Sequence, residues 1–264
     1  MCGRYVLVQK IEVIEQRFNV TAPNHFDWKP NYNIGPGTYA PVITSENPKE
    51  LQLFQFGLTP FWAKKPMYLF NARTEGDKNK ENNPEYHGSK DIILKPAFRK
   101  PIRSQRCLII ADAFIEGTTD DGLKKPYLVY LKNKQRPFAF AGIYDKWINE
   151  VTGEELLSFS IITTIANSLL QKIPHHRAPI ILPRSAESFW LSNKTPLTDI
   201  TKLLKSYDAD LMNAYPIGDR IRNPRENDKL LIEPIGKPLG TEKDIRSSKS
   251  IHLQGMGNRK KYQE

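Results

Sequence analysis

Cysteine is the second residue of this chain, directly after Met1. A small residue at this position favours cleavage of the initiator methionine, which would give Cys2 a free α-amine beside its thiol. Such a 1,2-aminothiol reacts with an aldehyde: the amine forms an imine, and the sulfur then closes a five-membered thiazolidine. Alternatively, the thiolate attacks an acyl carbon with the amine as its base. Ordinary pKa values of about 8.5 for a thiol and about 7.7–8.0 for an α-amine make both groups partly reactive near neutral pH.

Three further segments contain residues suited to proton transfer or phosphate binding. They are Asn71-Ala72-Arg73-Thr74-Glu75, the strand end at Glu116, and His175-His176-Arg177 at the start of another apolar run. Strand ends are places where a rigid scaffold presents catalytic groups. Glu and His with shifted pKa values act as general acids and bases, and Arg binds phosphate oxygens through two parallel hydrogen bonds. Each segment alone is equally typical of a solvated surface, so the order and combination of the segments carry the argument.

The hydrophobic pattern predicts an α+β fold around these segments. Short apolar runs predict strands at Cys107–Phe114, Tyr127–Leu131, Phe138–Tyr144, Leu156–Thr164 and Ala178–Leu182. Helical spacing of apolar residues predicts helices at 11–19, Ser185–Leu191 and Pro196–Tyr207. Because strands dominate and helices lie mainly at the ends, we expect one domain with a mostly antiparallel sheet and peripheral helices.

Composition narrows the class of protein. The 264 residues carry a formal net charge of +10, which predicts a polyanionic partner. No apolar run reaches the roughly 18 residues that span a bilayer, and no signal-peptide pattern is present, so we expect an intracellular protein without membrane contact. The chain has two cysteines and no C-x-x-C, and His175 and His176 are adjacent, which is poor spacing for one metal ion. We predict no metal site and no cofactor.

The last residues differ in composition from the rest. Residues 239–264 hold six Lys or Arg against three Asp or Glu and lack hydrophobic periodicity. We predict a domain at 2–238 followed by a basic, flexible C-terminal tail at 239–264.

Together the segments resemble the SRAP family, the SOS-response-associated, abasic-site processing proteins. The likeness rests on Cys2-Gly3-Arg4, Asn71 to Glu75, Arg106-Cys107-Leu108 through Glu116, and His175 to Pro179, in this order, and extends over roughly residues 2–235. The family was first described as peptidases, and its established role is covalent capture of abasic sites in single-stranded DNA. The resemblance implies a barrel-like β core, a monomer, and a cytoplasmic protein that is nucleoid-associated in a bacterium.

The resemblance also implies residue roles. Cys2 would form the thiazolidine with the ring-opened sugar, and Asn71 would orient the Cys2 amine or the adduct. Glu116 would move protons during ring opening and imine formation, and His175 would assist that step or its reversal. Flanking DNA would be held by Arg4, Arg73, Arg177, Trp62 and Thr164. An associated lyase activity at abasic sites is a further expectation.

Two departures from the family concern DNA contacts: Gly117 stands where the family usually has Trp, and Ala178 where it usually has Met. A basic stretch from Lys95 to Arg106 would extend the phosphate path, or is a solvated loop. Two other functions remain open. One is an N-terminal-nucleophile peptidase or amidohydrolase that uses the Cys2 thiolate, and the other is a non-catalytic binder of single-stranded DNA.

Overall fold

The computed structural model describes residues 2–132 and 135–240, which form two β-sheets with short helices around them. The strands are β1 (Arg4–Leu7), β2 (Asn31–Ile34), β3 (Tyr39–Thr44), β4 (Gln52–Phe56), β5 (Asn71–Arg73), β6 (Arg106–Ala111), β7 (Ala113–Thr118), β8 (Gly122–Leu131), β9 (Phe138–Ile148), β10 (Glu155–Ile165), β11 (Arg177–Pro179), β12 (Ile181–Leu182) and β13 (Met212–Pro216). The α-helices are α1 (Ile11–Phe18), α2 (Pro101–Ser104), α3 (Ser168–Gln171), α4 (Arg184–Leu191) and α5 (Leu197–Lys202). The α+β class and the mostly antiparallel pairing are confirmed.

The larger sheet contains a closed ring of five strands, β3-β4-β10-β9-β6. Every neighbouring pair is antiparallel except β4 with β10, which run parallel. The smaller sheet has the order β13-β8-β7-β1-β2. It packs against the ring through edge-to-face contacts of Tyr5 and Phe114 with Phe140, and of Tyr5 with Phe56. These four rings are fully buried, and each of the three Phe rings contributes about 1.5–3 kcal/mol by leaving water.

The predicted strand Cys107–Phe114 is wrong as one element, because the chain changes sheets at Asp112. β6 belongs to the larger sheet and β7 to the smaller one. The Asp112 carboxylate accepts hydrogen bonds from the backbone N–H groups of Val8 and Gln9, at 2.7 and 3.2 Å, and so ties β1 to the crossover. The crossover brings Glu116, on β7, beside the N-terminus.

Other boundaries also differ from the sequence prediction. The predicted strand Ala178–Leu182 is divided into β11, which pairs with β10, and β12, which pairs with β9. The helix predicted at Pro196–Tyr207 ends at Lys202, where the N–H groups of Leu203 and Leu204 donate to carbonyls three residues back instead of four. Leu239 and Gly240 still hydrogen-bond to Ala214 and Asn213. The rest of the predicted tail, 241–264, lies outside the described residues.

The C-terminal half of β10 is the frame on which much of the candidate site is built. It pairs with β5 in parallel, so Asn71 lies opposite Ile161 and Arg73 opposite Thr163. On its other side it pairs with β11, which places Arg177 opposite Ile165. Residues that are about 100 positions apart in sequence therefore share one edge of the barrel. Within residues 2–132 and 135–240, none of the helices has the length and apolar character needed to cross a membrane.

Candidate active site

Cys2 is fully buried, directly before β1, and contacts two of the other predicted site residues. Its thiol hydrogen-bonds to the Glu116 carboxyl. Its carbonyl accepts a hydrogen bond from Asn71 Nδ2 at 2.9 Å. The antiparallel pairing of β1 with β7 produces this arrangement, because Arg4 lies opposite Ile115 and brings the N-terminus beside the neighbouring Glu116.

Glu116 and His175 form a buried pair, with 3.2 Å between Glu116 Oε2 and His175 Nε2. His175 Nδ1 lies 2.9 Å from the Gly117 carbonyl oxygen, which can only accept, so Nδ1 carries a hydrogen. In the neutral imidazole, Nε2 is then an acceptor directed at the carboxyl. The pair is thus set up to share a single proton.

The pKa shifts assign that proton to the carboxyl. Burial raises the pKa of Glu116 to about 7, because the charged carboxylate loses its hydration. Burial also lowers the pKa of His175 to about 3, so the imidazole is neutral at pH 7. Burial and the nearby Glu116 raise the pKa of the Cys2 thiol well above its ordinary value. Glu116 is therefore half-protonated near neutral pH, as a general acid and base should be.

Asn71 has its amide nitrogen engaged and its amide oxygen unsatisfied. Nδ2 donates to the carbonyls of both Cys2 and Phe70 at 2.9 Å. Oδ1 is buried and accepts no hydrogen bond from any described residue. A buried acceptor without a donor costs about 1–3 kcal/mol, so a donor beside Cys2 would be stabilised there.

Two of the three predicted phosphate-binding arginines are held by neutral acceptors. Arg4 Nη1 donates to Asn33 Oδ1 at 2.5 Å, and Arg4 Nη2 donates to the Arg222 carbonyl at 3.3 Å. Arg73 Nη2 donates to the Asn79 carbonyl at 2.5 Å and to Asn82 Oδ1 at 3.0 Å, and 31% of the Arg73 side chain is exposed. Neither group donates a hydrogen bond to a carboxylate of the described residues, although Arg73 Nη2 lies 3.7 Å from Glu75 Oε1.

Arg177 is different, because it is buried and paired with a carboxylate. Both of its terminal nitrogens donate to the Glu75 carboxylate, and Nη2 also donates to Thr163 Oγ1 at 3.3 Å. Arg177 lowers the pKa of Glu75, although burial alone would raise it. Thr164 is also buried, with its hydroxyl 3.2 Å from that of Thr74. Because the Thr74 hydroxyl also donates to Glu75, Arg177 and Thr164 belong to one buried hydrogen-bond network.

Trp62 lies in a surface loop and is 47% exposed, as is its neighbour Phe61 at 51%. The loop is fixed to the barrel: the Phe61 N–H donates to Asp145 Oδ2, and Trp147 Nε1 donates to the Ala63 carbonyl. Lys100 Nζ lies 4.5 Å from the centre of the Phe61 ring. An exposed aromatic pair on an anchored loop beside a cation is a suitable surface for base stacking.

Gly117 is required by the close approach of β7 and β8. A Cβ atom at this position would lie 1.8 Å from the Gly122 carbonyl oxygen, and the strand register shifts between Gly117 and Thr118. Any larger side chain at this position would therefore require the β8 backbone to move. The Gly117 carbonyl also fixes the His175 ring, so the hairpin geometry and the acid–base pair are linked.

We therefore expect Gly117→Ala to destabilise the protein by about 1–3 kcal/mol, the usual range for overpacking. A thermal or urea melt measures the loss, and Gly153→Ala at an open turn is the comparison, since nothing surrounds that position. Gly153 has φ +73°, so its own substitution carries a modest backbone cost. Equal stability of Gly117→Ala and the unsubstituted chain would contradict the described hairpin.

Sequence reasoning missed several residues that position the site. Glu75 lies at the end of the Asn71–Glu75 motif, and three arginines in the predicted site imply a counter-charge, but the sequence does not identify Glu75 as that counter-charge. Asn33, Asn79 and Asn82 have no distinctive sequence signal. Arg106 is not on the phosphate path: it is 1% exposed and donates to backbone carbonyls that include Trp190 and Ile102. The described residues contain no group of three or more His, Cys, Asp or Glu side chains that could hold a metal ion.

Comparisons with known proteins agree with this geometry. The family model described as "SOS response associated peptidase (SRAP)" matches residues 1–224. This chain belongs to the SRAP family. The abasic site processing protein YoqW of Bacillus subtilis is 36% identical over 241 residues, which cover 88% of this chain and 99% of YoqW. The abasic site processing protein HMCES of Gallus gallus is 27% identical, covering 84% of this chain and 71% of HMCES.

A solved structure extends the agreement to the fold of this SRAP protein. A crystal structure of a Bacteroides thetaiotaomicron protein superimposes with a TM-score of 0.74 at 30% sequence identity, covering 88% of this chain and 99% of that one. A second structure, from Bordetella bronchiseptica, has a TM-score of 0.64 at 22% identity and supports the fold alone. The barrel-like core expected from the resemblance is thus the observed architecture.

Proposed function

We propose that this SRAP protein, after loss of Met1, captures abasic sites in single-stranded DNA as a thiazolidine on Cys2. The observation that carries the proposal is the contact of the Cys2 thiol with the Glu116–His175 pair, whose carboxyl has a pKa of about 7. The names of the relatives, abasic site processing proteins, supply the substrate class. Like the residue roles, the single-strand preference and the monomeric state remain part of the proposal.

The proposed chemistry uses Glu116 at three steps and consumes no co-reactant. The Glu116–His175 pair first moves protons to open the cyclic sugar to its aldehyde. The Cys2 amine adds to the aldehyde carbon, and protonated Glu116 donates to the departing hydroxyl, which leaves as water. The thiol then adds to the iminium carbon, and its proton passes to the Glu116 carboxylate. One water is released, one C–N and one C–S bond form, and Glu116 is protonated again.

Attack by the amine first is consistent with the state of the thiol. Burial and Glu116 raise the pKa of the Cys2 thiol, whereas a peptidase nucleophile needs a lowered pKa. In the thiazolidine sequence the thiol reacts only after the iminium has formed, with the carboxylate already in contact to accept its proton. The unsatisfied Asn71 Oδ1 would accept a hydrogen bond from the Cys2 amine and orient it. These points favour the thiazolidine over the peptidase alternative.

Strand cleavage would be a side branch of the same pathway. An imine that is not trapped by sulfur either hydrolyses or promotes β-elimination of the 3′ phosphate, which nicks the strand. Lyase activity is therefore expected to be weak while the thiol is present and stronger when it is removed.

The phosphates beside the lesion would be bound mainly by Arg4 and Arg73, because neutral acceptors hold both groups. Arg177 would act chiefly through Glu75, and Trp62 would stack a neighbouring base. Each phosphate that is neutralised on a single strand releases counterions, which lowers affinity with salt by a log–log slope of about 0.7 per contact.

We expect binding of undamaged single-stranded DNA to weaken with rising salt, and the slope to fall by about 0.7 in Arg4→Ala and again in Arg73→Ala. Fluorescence anisotropy of a labelled oligothymidylate over a range of salt concentrations measures these slopes. The control is Arg184→Ala, an exposed arginine at the start of α4 that forms no hydrogen bond with Arg4 or Arg73. Slopes that are identical in all variants would contradict the assignment of the two arginines.

The proposal itself is tested by incubating the chain that lacks Met1 with a single-stranded oligonucleotide carrying one abasic site. A denaturing gel should show a heat-stable slower band. An oligonucleotide with a tetrahydrofuran analogue, which cannot form the aldehyde, is the control and should give no such band. A band of equal intensity with the analogue, or none with either substrate, would refute covalent capture through the aldehyde.

A further inference from the structure

The turn formed by residues 79–83 is closed by its own asparagine side chains. Asn79 is 4% exposed, and its side chain donates to the Asn83 carbonyl at 3.1 Å and accepts from the Asn83 N–H at 2.8 Å. The Asn82 N–H donates to the Asn79 carbonyl at 3.1 Å, and Asn82 has a left-handed backbone with φ +57°. The turn is therefore ordered independently of any ligand.

Two acceptors of this turn converge on one nitrogen of Arg73. The Asn79 carbonyl and Asn82 Oδ1 lie 2.5 and 3.0 Å from Arg73 Nη2, which has two hydrogens and so is saturated. Nη1 has no hydrogen-bond partner among the described residues. The turn therefore binds Nη2 of the guanidinium group, and Nη1 can donate to an acceptor on a ligand.

The charge of these acceptors matters as much as their position. Both are neutral, and the ion pair of Nη2 with Glu75 Oε1 is 3.7 Å long, beyond hydrogen-bond distance. By contrast, both terminal nitrogens of Arg177 contact that carboxylate. A guanidinium group that is fixed by neutral acceptors loses side-chain freedom without losing its charge, which is the state that binds a phosphate best.

We propose that the turn 79–83 is a positioning element for Arg73, and that Asn82 sets the orientation in which Arg73 meets a backbone phosphate of the DNA. This inference rests on the proposed function only for the identity of the ligand. Asn82 does not take part in the covalent chemistry, so it acts on binding and not on the bond-forming steps.

The left-handed backbone at Asn82 allows a substitution by glycine without added backbone strain. Asn82→Gly keeps a residue that adopts φ +57° readily. It removes the Oδ1 acceptor, together with one long hydrogen bond of 3.5 Å from Asn82 Nδ2 to the Lys80 carbonyl. Asn19, at the C-terminal end of α1, has φ 53°, so Asn19→Gly is the matched control. Comparing Asn82→Gly in the unsubstituted chain and in Arg73→Ala forms a double-mutant cycle, which isolates the coupling of the two residues.

The experiment measures anisotropy of undamaged oligothymidylate and the cross-linking rate as a function of the concentration of abasic DNA. We expect Asn82→Gly to weaken binding about 5- to 10-fold and to raise the half-saturating concentration equally, with an unchanged maximal rate. In Arg73→Ala it should have no further effect, and Asn19→Gly should match the unsubstituted chain. An equal loss in both backgrounds, or a lower maximal rate with unchanged binding, would overturn the proposal.

Failure of this inference is distinguishable from failure of the proposed function. If the unsubstituted chain binds oligothymidylate and Arg73→Ala weakens binding, unaltered binding by Asn82→Gly refutes the role of the turn alone. If the unsubstituted chain binds DNA but forms no adduct, the covalent function fails while the cycle on binding still decides the inference. If the chain does not bind single-stranded DNA, both are refuted.

Discussion

A chain with one additional residue before Cys2 should form no stable adduct with abasic DNA. The extra residue converts the Cys2 amine into an amide, whose nitrogen has no nucleophilic lone pair, so no thiazolidine can form at Cys2. The α-amine of the added residue has no thiol beside it, so it can form only an imine, which hydrolyses. The thiol and the arginines remain, and binding of undamaged single strands should persist. Denaturing gels report the adduct, and anisotropy of the same sample reports binding. A heat-stable adduct from the extended chain would refute the thiazolidine mechanism.

Cys2→Ala is the complementary variant, because it keeps the amine and removes only the sulfur. It should form an imine that borohydride traps, but no heat-stable adduct without borohydride, and it should nick the strand more than the unsubstituted chain does. A cysteine peptidase would lose all activity in this variant. A protein that only binds DNA would form no covalent bond to it, either as the unsubstituted chain or as Cys2→Ala. The three outcomes separate the three functions considered from the sequence.

Glu116→Gln should slow adduct formation by about 10²–10⁴-fold, the usual range for loss of a general acid–base group. Glutamine keeps the size of the side chain but can neither donate a proton to the departing hydroxyl nor accept one from the thiol. His175→Ala should have a smaller effect, since the imidazole holds the carboxyl in place and is neutral. Single-turnover rates at saturating DNA measure both effects. An unaltered rate in Glu116→Gln would remove Glu116 from the mechanism.

The pH profile provides a second readout of the same substitution. Glu116 is the acid below about pH 7 and a carboxylate above it. The rate should therefore fall as pH rises through about 7, while protonation of the Cys2 amine limits it at low pH. The apparent pKa belongs to the coupled Glu116–His175 pair. Glu116→Gln should lack the alkaline decline but keep the acidic one.

The raised pKa of Glu116 also makes the stability of the folded chain depend on pH. The direction of this dependence is opposite to that of most carboxylates, whose pKa values are lowered by folding. The pKa of Glu116 is raised by burial, so the folded chain holds a proton that the unfolded chain loses above about pH 4.5. Stability from this group therefore declines as pH rises from about 4.5 to 7. The lowered pKa of His175 acts in the other direction, since the unfolded chain binds the extra proton between about pH 3 and 6.5.

The candidate site residues could be predicted because their motifs, in this order, resemble those of the SRAP family. Cys2, Asn71, Glu116 and His175 were selected in this way, and the structure brings all four together. Their environment could not be predicted. The shared proton of Glu116 and His175 depends on burial and on the Gly117 carbonyl, which are properties of the folded hairpin.

Residue type alone does not predict which partner a side chain has in the folded chain, or which sheet a strand joins. Arg4, Arg73 and Arg177 look equivalent in sequence, but among the three only Arg177 donates hydrogen bonds to the Glu75 carboxylate. The apolar run Cys107–Phe114 reads as one strand, because the sequence does not show that Asp112 binds two backbone N–H groups of another segment. Local pattern thus predicts strand content well and sheet membership poorly.

The most direct test of covalent capture is the intact mass of the protein after incubation with a single-stranded oligonucleotide carrying one abasic site. We expect the chain without Met1 to gain the mass of the oligonucleotide minus one water, with the modification mapped by peptide fragmentation to Cys2. An unmodified mass, or an adduct on any residue other than Cys2, would contradict the account.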